Sequence, residues 1–309
     1  MGRVLNFSGI FVKCLVAAAA LTAGIAEAGA KLPERPNVVL IGLDGWGSYS
    51  YDKADMPAVK HLAEEGCVTL KKRSVLPSSS APNWASMFMG APVELHGYTE
   101  WGSERPSMPS VADYRNGIFP TIFQVFRLAE PDAEIGVLYE WKGIKHLVDT
   151  LSLSFHALAP NYKRHPEALV GMAEEYIAEH KPRLLAVCFD NPDHVGHKAG
   201  HDTEEYYAKL AELDGYVGRI LRSIDEAGMA DSTIVIVTAD HGGIYHNHGG
   251  TTMAEMETPF IISGPGIRSG YEIGEVMMQY DVAATIAGIL GIDAPQVWTG
   301  RPLQSIFGD

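Results

Sequence analysis

The protein is a chain of 309 residues with a formal net charge of −14 at pH 7, and 46% of its residues are hydrophobic. A chain of this length and composition can bury a sizeable core, which excludes an intrinsically disordered protein. The acidic excess would repel polyanions, so nucleic acid is not expected as a main partner.

The first thirty residues are typical of a secretory signal peptide. A basic start precedes an apolar run from Cys14 to Ile25, and Ala28-Gly29-Ala30 has the small-x-small pattern of a cleavage site. A membrane anchor is the alternative, but this run has about a dozen residues whereas a span needs roughly 20. We predict a cleaved signal peptide over residues 1–30, one domain over residues 31–309 and an exported protein, secreted or periplasmic, without a membrane span.

Two cysteines, Cys67 and Cys188, remain after the apolar run. Two cysteines do not make a disulfide framework. Because Cys188 lies in an apolar, strand-like run, a buried free thiol is favoured, and a bridge between the two is left open.

Short apolar runs alternate along the chain with longer amphipathic segments. The pattern predicts, in chain order, strands at 37–43, 68–75, 135–139, 184–189, 233–238 and 259–263. It predicts helices at 56–65, 83–90, 118–129, 165–180, 203–227 and 280–290. This alternation indicates an α/β fold, a three-layer sandwich with a mostly parallel central sheet. The Gly-, Pro- and Ser-rich segment 92–117 is expected to be a long loop near the site.

Acidic and histidine side chains follow three of the predicted strands. They are Asp44 after the first strand, Asp193 and His197 after 184–189, and Asp240, His241 and His248 after 233–238. Each motif alone is ambiguous, since Asp-Gly after a strand is usually a turn. Ligand sites in parallel sheets lie at the carboxyl ends of the strands, however, so the six side chains are expected to converge. Asp and His ligands without cysteine suit a catalytic site for zinc, manganese or iron.

Ser80 lies in the run Pro77-Ser-Ser-Ser-Ala-Pro-Asn83, just before a predicted helix. A serine hydroxyl is a poor nucleophile at neutral pH, and coordination to a metal would activate it. The helix N-terminus would favour an anionic substrate. A helix cap is the alternative role for such a serine.

These motifs, in this order, resemble the alkaline phosphatase superfamily, and most closely its type I phosphodiesterase/nucleotide pyrophosphatase branch. They are Leu-Ile-Gly-Leu-Asp44-Gly, Ser80-Ala-Pro-Asn83, Asn191-Pro-Asp193-His-Val-Gly-His197, Thr238-Ala-Asp240-His241-Gly, His248-Gly, Pro259-Phe-Ile-Ile-Ser-Gly-Pro-Gly266 and the helix from Asp281 to Gly291. The resemblance covers roughly residues 36–305 and implies an alkaline-phosphatase-like fold, with one metal-dependent hydrolase domain over 31–309.

The resemblance also implies a role for each matched residue. One divalent metal ion, zinc or alternatively manganese, would be held by Asp44, Ser80, Asp240 and His241, and a second by Asp193, His197 and His248. Ser80, chosen over Ser78 and Ser79 by its spacing to Pro82-Asn83, would attack a small-molecule phosphate ester and form a phosphoserine that water hydrolyses. The implied substrates are phosphodiesters or nucleotide pyrophosphates. Alternatives are a phosphomonoester, phosphonate or sulfate ester, transfer to another alcohol, or a non-catalytic binding protein.

Two departures from the family pattern concern the substrate. The formylglycine sulfatases of the superfamily have an arginine two residues after the proline of their nucleophile motif, and here Ser80-Ala-Pro-Asn-Trp84 has none. Trp101 stands where the phosphodiesterase branch has an asparagine that holds a phosphoryl oxygen, which puts diester cleavage in doubt. Asn83, Trp84 and Trp101 are the candidate substrate contacts, with packing as the alternative role for the tryptophans. His96, in the run Glu-Leu-His-Gly, is expected to be structural.

Overall fold

The computed structural model of the protein describes residues 31–112 and 116–308, together with Met1. The rest of the predicted signal peptide lies outside the described residues, so that assignment stays a prediction. In the part of the chain that is described, no helix combines the length and the apolar character needed to cross a membrane.

The centre of the fold is an eight-stranded sheet with the order β4-β3-β5-β1-β6-β7-β2-β8. Its strands are β1 (Asn37–Leu43), β2 (Cys67–Arg73), β3 (Ile135–Tyr139), β4 (Phe155–Leu158), β5 (Leu184–Phe189), β6 (Thr233–Thr238), β7 (Glu257–Ser263) and β8 (Tyr271–Glu272). The strand β1 is parallel to both of its neighbours, β5 and β6. Only β7 runs against its neighbours, β6 and β2, within the described residues. The sheet is therefore mostly parallel, as the alternation predicts.

Helices cover both faces of this sheet. They are α1 (Pro57–Glu64), α2 (Ser80–Met89), α3 (Val93–His96), α4 (Ile122–Ala129), α5 (Ala168–His180), α6 (Asp193–Ala199), α7 (Glu204–Glu226), α8 (Met253–Met256) and α9 (Asp281–Leu290). One hydrophobic core lies under α2, α4 and α9, and a second lies under α1, α5 and α7. Each strand of the centre is buried because side chains that alternate along it enter one core and then the other. The three-layer α/β fold is confirmed.

Buried β-branched runs make the strands easy to predict. The strands β1, β3, β5 and β6 have the predicted bounds, and the six predicted helices differ by a few residues at their ends. The helix α2 begins at Ser80 rather than at residue 83, because a proline such as Pro82 is tolerated in the first turn. The segment 92–117 contains the short helix α3 and is otherwise irregular where it is described.

Elements without an apolar period were missed. The helix α6 has the sequence Asp-His-Val-Gly-His-Lys-Ala, whose polar side chains hide its helical face. The edge strand β4 is mostly exposed and short, so it gives no alternating pattern. Cys67 and Cys188 are both buried and free, which confirms the favoured state of the two thiols.

His96 is buried beside the helix α2. Its Nε2 lies 2.9 Å from Ser86 Oγ, and its Nδ1 accepts a hydrogen bond of 3.1 Å from the Tyr98 amide. Because Nδ1 is an acceptor, the proton lies on Nε2 and the ring is neutral. Burial lowers the pKa of His96 to about 3. These contacts give His96 a structural setting.

We expect His96 to destabilise the metal-free protein as the pH falls. The unfolded chain, with a histidine pKa of about 6.5, takes up a proton that the folded protein excludes, so the stabilisation is complete above about pH 6.5 and is lost toward pH 3. The free energy of unfolding in urea, measured from pH 7 to pH 4, should fall less steeply in His96→Gln by up to about 1.4 kcal/mol per pH unit. The exposed His61→Gln is the control, and an unchanged slope in His96→Gln would refute this account.

Candidate active site

The predicted site residues meet at the carboxyl edge of the sheet. Asp44 follows β1, and Asp240 and His241 follow β6. Asp193 and His197 are four residues apart on α6, so both side chains point from one face of that helix. His248 comes from the loop after β6, and Ser80 is the first residue of α2. All seven residues therefore enter one space from five segments of the chain.

Asp193 lies at the centre of this cluster. Its Oδ2 is 3.1 Å from His197 Nε2, and its Oδ1 is 3.7 Å from His248 Nε2. The two histidine Nε2 atoms are 3.1 Å apart. Asp193, His197 and His248 each offer one ligand atom to a common point, with all three atoms within 4.8 Å of one another. This group has the same members as the second metal set that the family resemblance implies.

A second group lies around His241. Its Nε2 is 3.2 Å from Ser80 Oγ, 3.5 Å from Asp44 Oδ1 and 3.3 Å from Asp240 Oδ2. Ligand atoms of Asp44, Asp193 and His241 also lie within 4.8 Å of one another. Asp193 is thus shared by both groups, which the sequence did not indicate.

Backbone carbonyls fix the orientation of the three histidine rings. The Nδ1 of His197 lies 2.8 Å from His246 O, that of His241 lies 2.8 Å from Gly242 O, and that of His248 lies 3.1 Å from Ser78 O. A carbonyl accepts only, so each Nδ1 carries a proton and each Nε2 points into the cluster. This leaves Nε2 as the ring nitrogen that would bind a metal ion.

The carboxylates of the cluster have oxygens without partners. Asp44 Oδ1, Asp193 Oδ1 and Asp240 Oδ2 are buried and accept no hydrogen bond. Burial, together with its carboxylate neighbours, raises the pKa of Asp44 well above its usual range, and burial raises the pKa of Asp240 to about 7. Buried like charges at such distances need cations. These orphaned oxygens and the free Nε2 atoms fit a site for divalent metal ions.

The histidines of the cluster differ in their protonation. Burial lowers the pKa of His241 and of His248 to about 4, which leaves both imidazoles neutral at pH 7. The hydrogen bond with Asp193 instead raises the pKa of His197 to about 9. Burial would raise the pKa of Asp193, but contacts with His197 and His201 hold it well below its usual range.

The three serines before α2 have different settings. Ser78 Oγ donates to Gly250 O at 2.7 Å and accepts from the Gly249 amide at 3.2 Å, so it ties two loops together. Ser79 is the N-cap of α2 but makes no capping bond with its side chain. Ser80, next to His241, is the one of the three whose hydroxyl lies in the carboxylate and histidine cluster.

Asn83 and Trp84 have interior partners rather than a substrate-facing position. Asn83 is fully buried; its Oδ1 accepts from the Val75 amide, and its Nδ2 donates to three backbone carbonyls. Trp84 is also fully buried, and its Nε1 donates to Asp44 Oδ2 at 3.1 Å. These contacts correct the expectation that the two side chains touch substrate. Asn83 shapes the serine loop, and Trp84 orients Asp44.

Trp101 lies over a cavity that opens onto Ser80. The side chain is 65% exposed, and its ring centroid is 6.4 Å from that of Trp141. The cavity has a volume of about 260 Å³ and is lined by Ser80, Trp101, Trp141, Tyr162, Lys163, Asp190, Asp193, His194 and His197. Tyr162 donates to Asp190 Oδ2 at 2.8 Å on the opposite wall. The space in front of Ser80 is therefore small and partly aromatic.

A buried lysine lies behind the cluster. Lys72 Nζ donates to Ala239 O at 2.7 Å and to the side chain of Gln279, and Gln279 Nε2 donates to Ala239 O and Asn83 O. Burial lowers the pKa of Lys72 to about 7, although Asp240 and Asp281 oppose the change. This network joins the end of β6 to α2. No sequence pattern indicates this network, because a lysine in a strand is usually solvated.

The model of the family described as type I phosphodiesterase / nucleotide pyrophosphatase matches residues 38–258, which include every member of the cluster. The chain belongs to this family. Members of this branch of the alkaline phosphatase superfamily are metal-dependent hydrolases of phosphoric esters, and the resemblance noted in the sequence is confirmed.

Several curated proteins are similar in sequence to this chain. The murine bis(5'-adenosyl)-triphosphatase enpp4 is 25% identical over 67% of this chain and 47% of its own length. Zebrafish arylsulfatase K is 31% identical over 34% of this chain. The matches to the arylsulfatase K proteins span about a fifth of the length of those proteins.

Several solved structures share the fold of this chain. Murine ectonucleotide pyrophosphatase / phosphodiesterase 5, solved in complex with AMP, has a TM-score of 0.71 at 15% identity, with 88% of this chain and 100% of that chain covered. The phosphonate monoester hydrolase of Agrobacterium radiobacter has a TM-score of 0.67 at 18% identity, with 88% and 77% covered. Both likenesses concern the fold alone.

We expect Asp240→Asn to stabilise the metal-free protein and to weaken its binding of metal ions. Asparagine Oδ1 can still accept from the Gly45 and His241 amides, while Asp240 Oδ2, which has no hydrogen-bond partner, becomes a neutral donor 3.3 Å from His241 Nε2. The metal-free variant should therefore melt at a higher temperature than the metal-free wild type, because a buried charge is removed.

Zinc should then raise the melting temperature of the wild type much more than that of the variant. A ligand at a hundred times its dissociation constant stabilises a protein by about 2.7 kcal/mol. Thermal melts with chelator and with zinc measure both effects, and the exposed Asp293→Asn is the control. Equal zinc-induced shifts in Asp240→Asn and wild type would contradict the assignment of Asp240.

Proposed function

We propose that the protein is an exported, two-metal hydrolase of phosphate esters that works through a phosphoserine on Ser80. The observation that carries the proposal is the position of Ser80 Oγ, 3.2 Å from His241 Nε2, beside buried carboxylates whose outer oxygens have no partner. A hydroxyl that had only to cap a helix would not need such surroundings. Export rests on the predicted signal peptide, residues 1–30.

The chain's own residues would hold the metals in two sets. Asp44, Ser80, Asp240 and His241 would hold one ion, and Asp193, His197 and His248 the other, with Asp193 close to both sets. When bound, two divalent ions, zinc by the chemistry of these ligands, would lower the pKa of the Ser80 hydroxyl and offset the charge of the phosphate.

Ser80 would act at the start of α2. There Oγ of Ser80 gives up its proton and attacks the phosphorus in line with the leaving group. The phosphorus–oxygen bond to the leaving group breaks, the leaving oxygen takes up a proton, and Ser80 carries the phosphoryl group, as phosphoserine from a monoester or as its ester from a diester. Water then attacks the phosphoserine from the side that the leaving group vacated, releases phosphate or a phosphate monoester, and returns the proton to Ser80. The free amides in the first turn of α2 would favour the anionic group throughout.

Phosphodiesters or nucleotide pyrophosphates are the proposed substrates. The family model and the murine triphosphatase enpp4 support this class. The cavity of about 260 Å³ suits one compact leaving group, and the Trp101–Trp141 wall suits an aromatic one.

A monoester, phosphonate or sulfate ester is the second candidate substrate. Two observations favour it: Trp101 in the place of the family's asparagine, and the partial similarity to arylsulfatase K. Hydrolysis of bis-aryl phosphate, mono-aryl phosphate and aryl sulfate at equal zinc separates the two candidates. Faster turnover of the bis-aryl ester supports the first candidate, and faster turnover of a mono-aryl ester supports the second.

Replacing the nucleophile should abolish turnover. We expect Ser80→Ala to lower kcat by at least about a thousandfold on the preferred aryl ester, because no other hydroxyl of the serine run faces the cluster. Ser79→Ala, which removes a neighbouring hydroxyl without a capping bond, is the matched control and should keep kcat within about threefold of wild type.

Acid quench during turnover, followed by peptide mass spectrometry, should find the phosphoryl group on Ser80 in the wild type. Phosphate on Ser79, or full activity in Ser80→Ala, would overturn the assignment of the nucleophile.

Trp101→Ala tests the aromatic wall. Loss of an aromatic contact of about 0.5–1.5 kcal/mol should raise the KM for an ester with an aryl leaving group about two- to tenfold, and leave the KM for a methyl leaving group unchanged. Trp101→Phe should recover most of the difference. If both esters respond equally to Trp101→Ala, Trp101 does not contact the leaving group.

A further inference from the structure

His201 occupies a slot that only glycines can form. The residue is 4% exposed, and its ring lies between Gly196 of α6 and Gly243 in the loop after β6. A Cβ at Gly196 would come within 2.4 Å of the ring, and a Cβ at Gly243 within 2.2 Å. The chain thus approaches the imidazole closely from both sides, which fixes the plane of the ring.

The orientation of the ring within this plane is fixed by Tyr245. His201 Nδ1 lies 3.1 Å from Tyr245 O, and the His201 amide donates to the same oxygen at 2.5 Å. The ring of Tyr206 packs against the imidazole with 5.4 Å between centroids. These contacts direct Nε2 toward α6.

The Nε2 atom of His201 faces Asp193. It lies 3.5 Å from Asp193 Oδ1, and both atoms are buried without a hydrogen-bond partner. His201 is in neither of the two metal-holding groups found among the described residues. It contacts Asp193 from outside these groups. Because Asp193 Oδ1 has two lone pairs, it can bind a metal ion and accept a hydrogen bond at the same time.

We propose that His201 is a positioning residue that holds Asp193 for metal binding: with a proton on each ring nitrogen, it donates from Nδ1 to Tyr245 O and from Nε2 to Asp193 Oδ1. The inference rests on the proposed function, in which Asp193 is a metal ligand. Asp193 is the carboxylate common to both groups, so its rotation affects both. A histidine locked between two glycines limits that rotation. Partners of metal ligands of this kind typically change metal affinity by about 10- to 100-fold.

Two substitutions test separately the contacts that the two ring nitrogens of His201 make. In His201→Gln, the amide nitrogen can occupy the place of Nε2 and reach Asp193. In His201→Asn, the shorter side chain can reach only the place of Nδ1, and thus Tyr245 O. His201→Asn leaves more space between Gly196 and Gly243 than His201→Gln does, so His201→Met, which has the length of glutamine but no donor, is the control for packing alone.

The readout is the dissociation constant for zinc, measured by competition with a chelator, on the full protein. We expect His201→Asn to raise it about 10- to 100-fold and His201→Gln to raise it less than about threefold. His165→Asn, which changes an exposed histidine before α5, should leave it unchanged. Melting temperatures of the metal-free variants report folding, and if His201→Asn fails to fold, His201→Phe, which fills the slot without a donor, takes its place.

Each outcome bears on one claim. Weak zinc binding in His201→Asn and in His201→Met, with recovery in His201→Gln, supports the positioning role. Wild-type affinity in all three variants, or the same affinity in His201→Met as in His201→Gln, overturns it. Asp193→Ala tests the proposed function separately. If the wild type binds zinc and Asp193→Ala does not, the metal site is supported, whatever the His201 variants do. A wild type that binds no zinc refutes both proposals.

Discussion

Three carboxylates, those of Asp44, Asp193 and Asp240, are buried together at the carboxyl ends of β1, β5 and β6, and each has an oxygen without a partner. Like charges this close raise each other's pKa and destabilise the fold unless cations lie between them. Much of the surrounding structure follows from this constraint. Three histidines direct Nε2 atoms at the carboxylates, and each is fixed by a backbone carbonyl at Nδ1. Trp84 donates to Oδ2 of Asp44, the oxygen that is not orphaned, and Lys72 lies behind Asp240.

The sheet supplies the rigidity that this arrangement needs. The strands β1, β5 and β6 are adjacent and parallel, so their ends deliver Asp44, the start of α6, and the Asp240–His241 pair to one edge. The Lys72–Gln279 network then ties the end of β6 to α2, which carries Ser80. Side chains that are held on strand ends and at the start of a helix keep their distances from one another.

Much of the fold could be predicted because β1, β5 and β6 are apolar, β-branched runs whose period is visible in sequence. The seven clustered residues were predictable because each follows such a strand or lies in an ordered family motif. The features that could not be predicted from the sequence depend on tertiary contacts. The helix α6 has no apolar face to reveal it, and Asn83 looks like a substrate contact until its amide is seen to hold four backbone groups. The settings of the His201 and Lys72 side chains depend on contacts with glycines and backbone carbonyls that no local sequence pattern encodes.

The central claim is the proposal that this cluster holds two divalent ions. Anomalous diffraction at the zinc edge, from crystals of the mature protein grown with zinc, tests it most directly. The account predicts two anomalous peaks, one among Asp193, His197 and His248 and one among Asp44, Ser80, Asp240 and His241. A single peak, or peaks away from these side chains while the cluster keeps the arrangement described above, would contradict it.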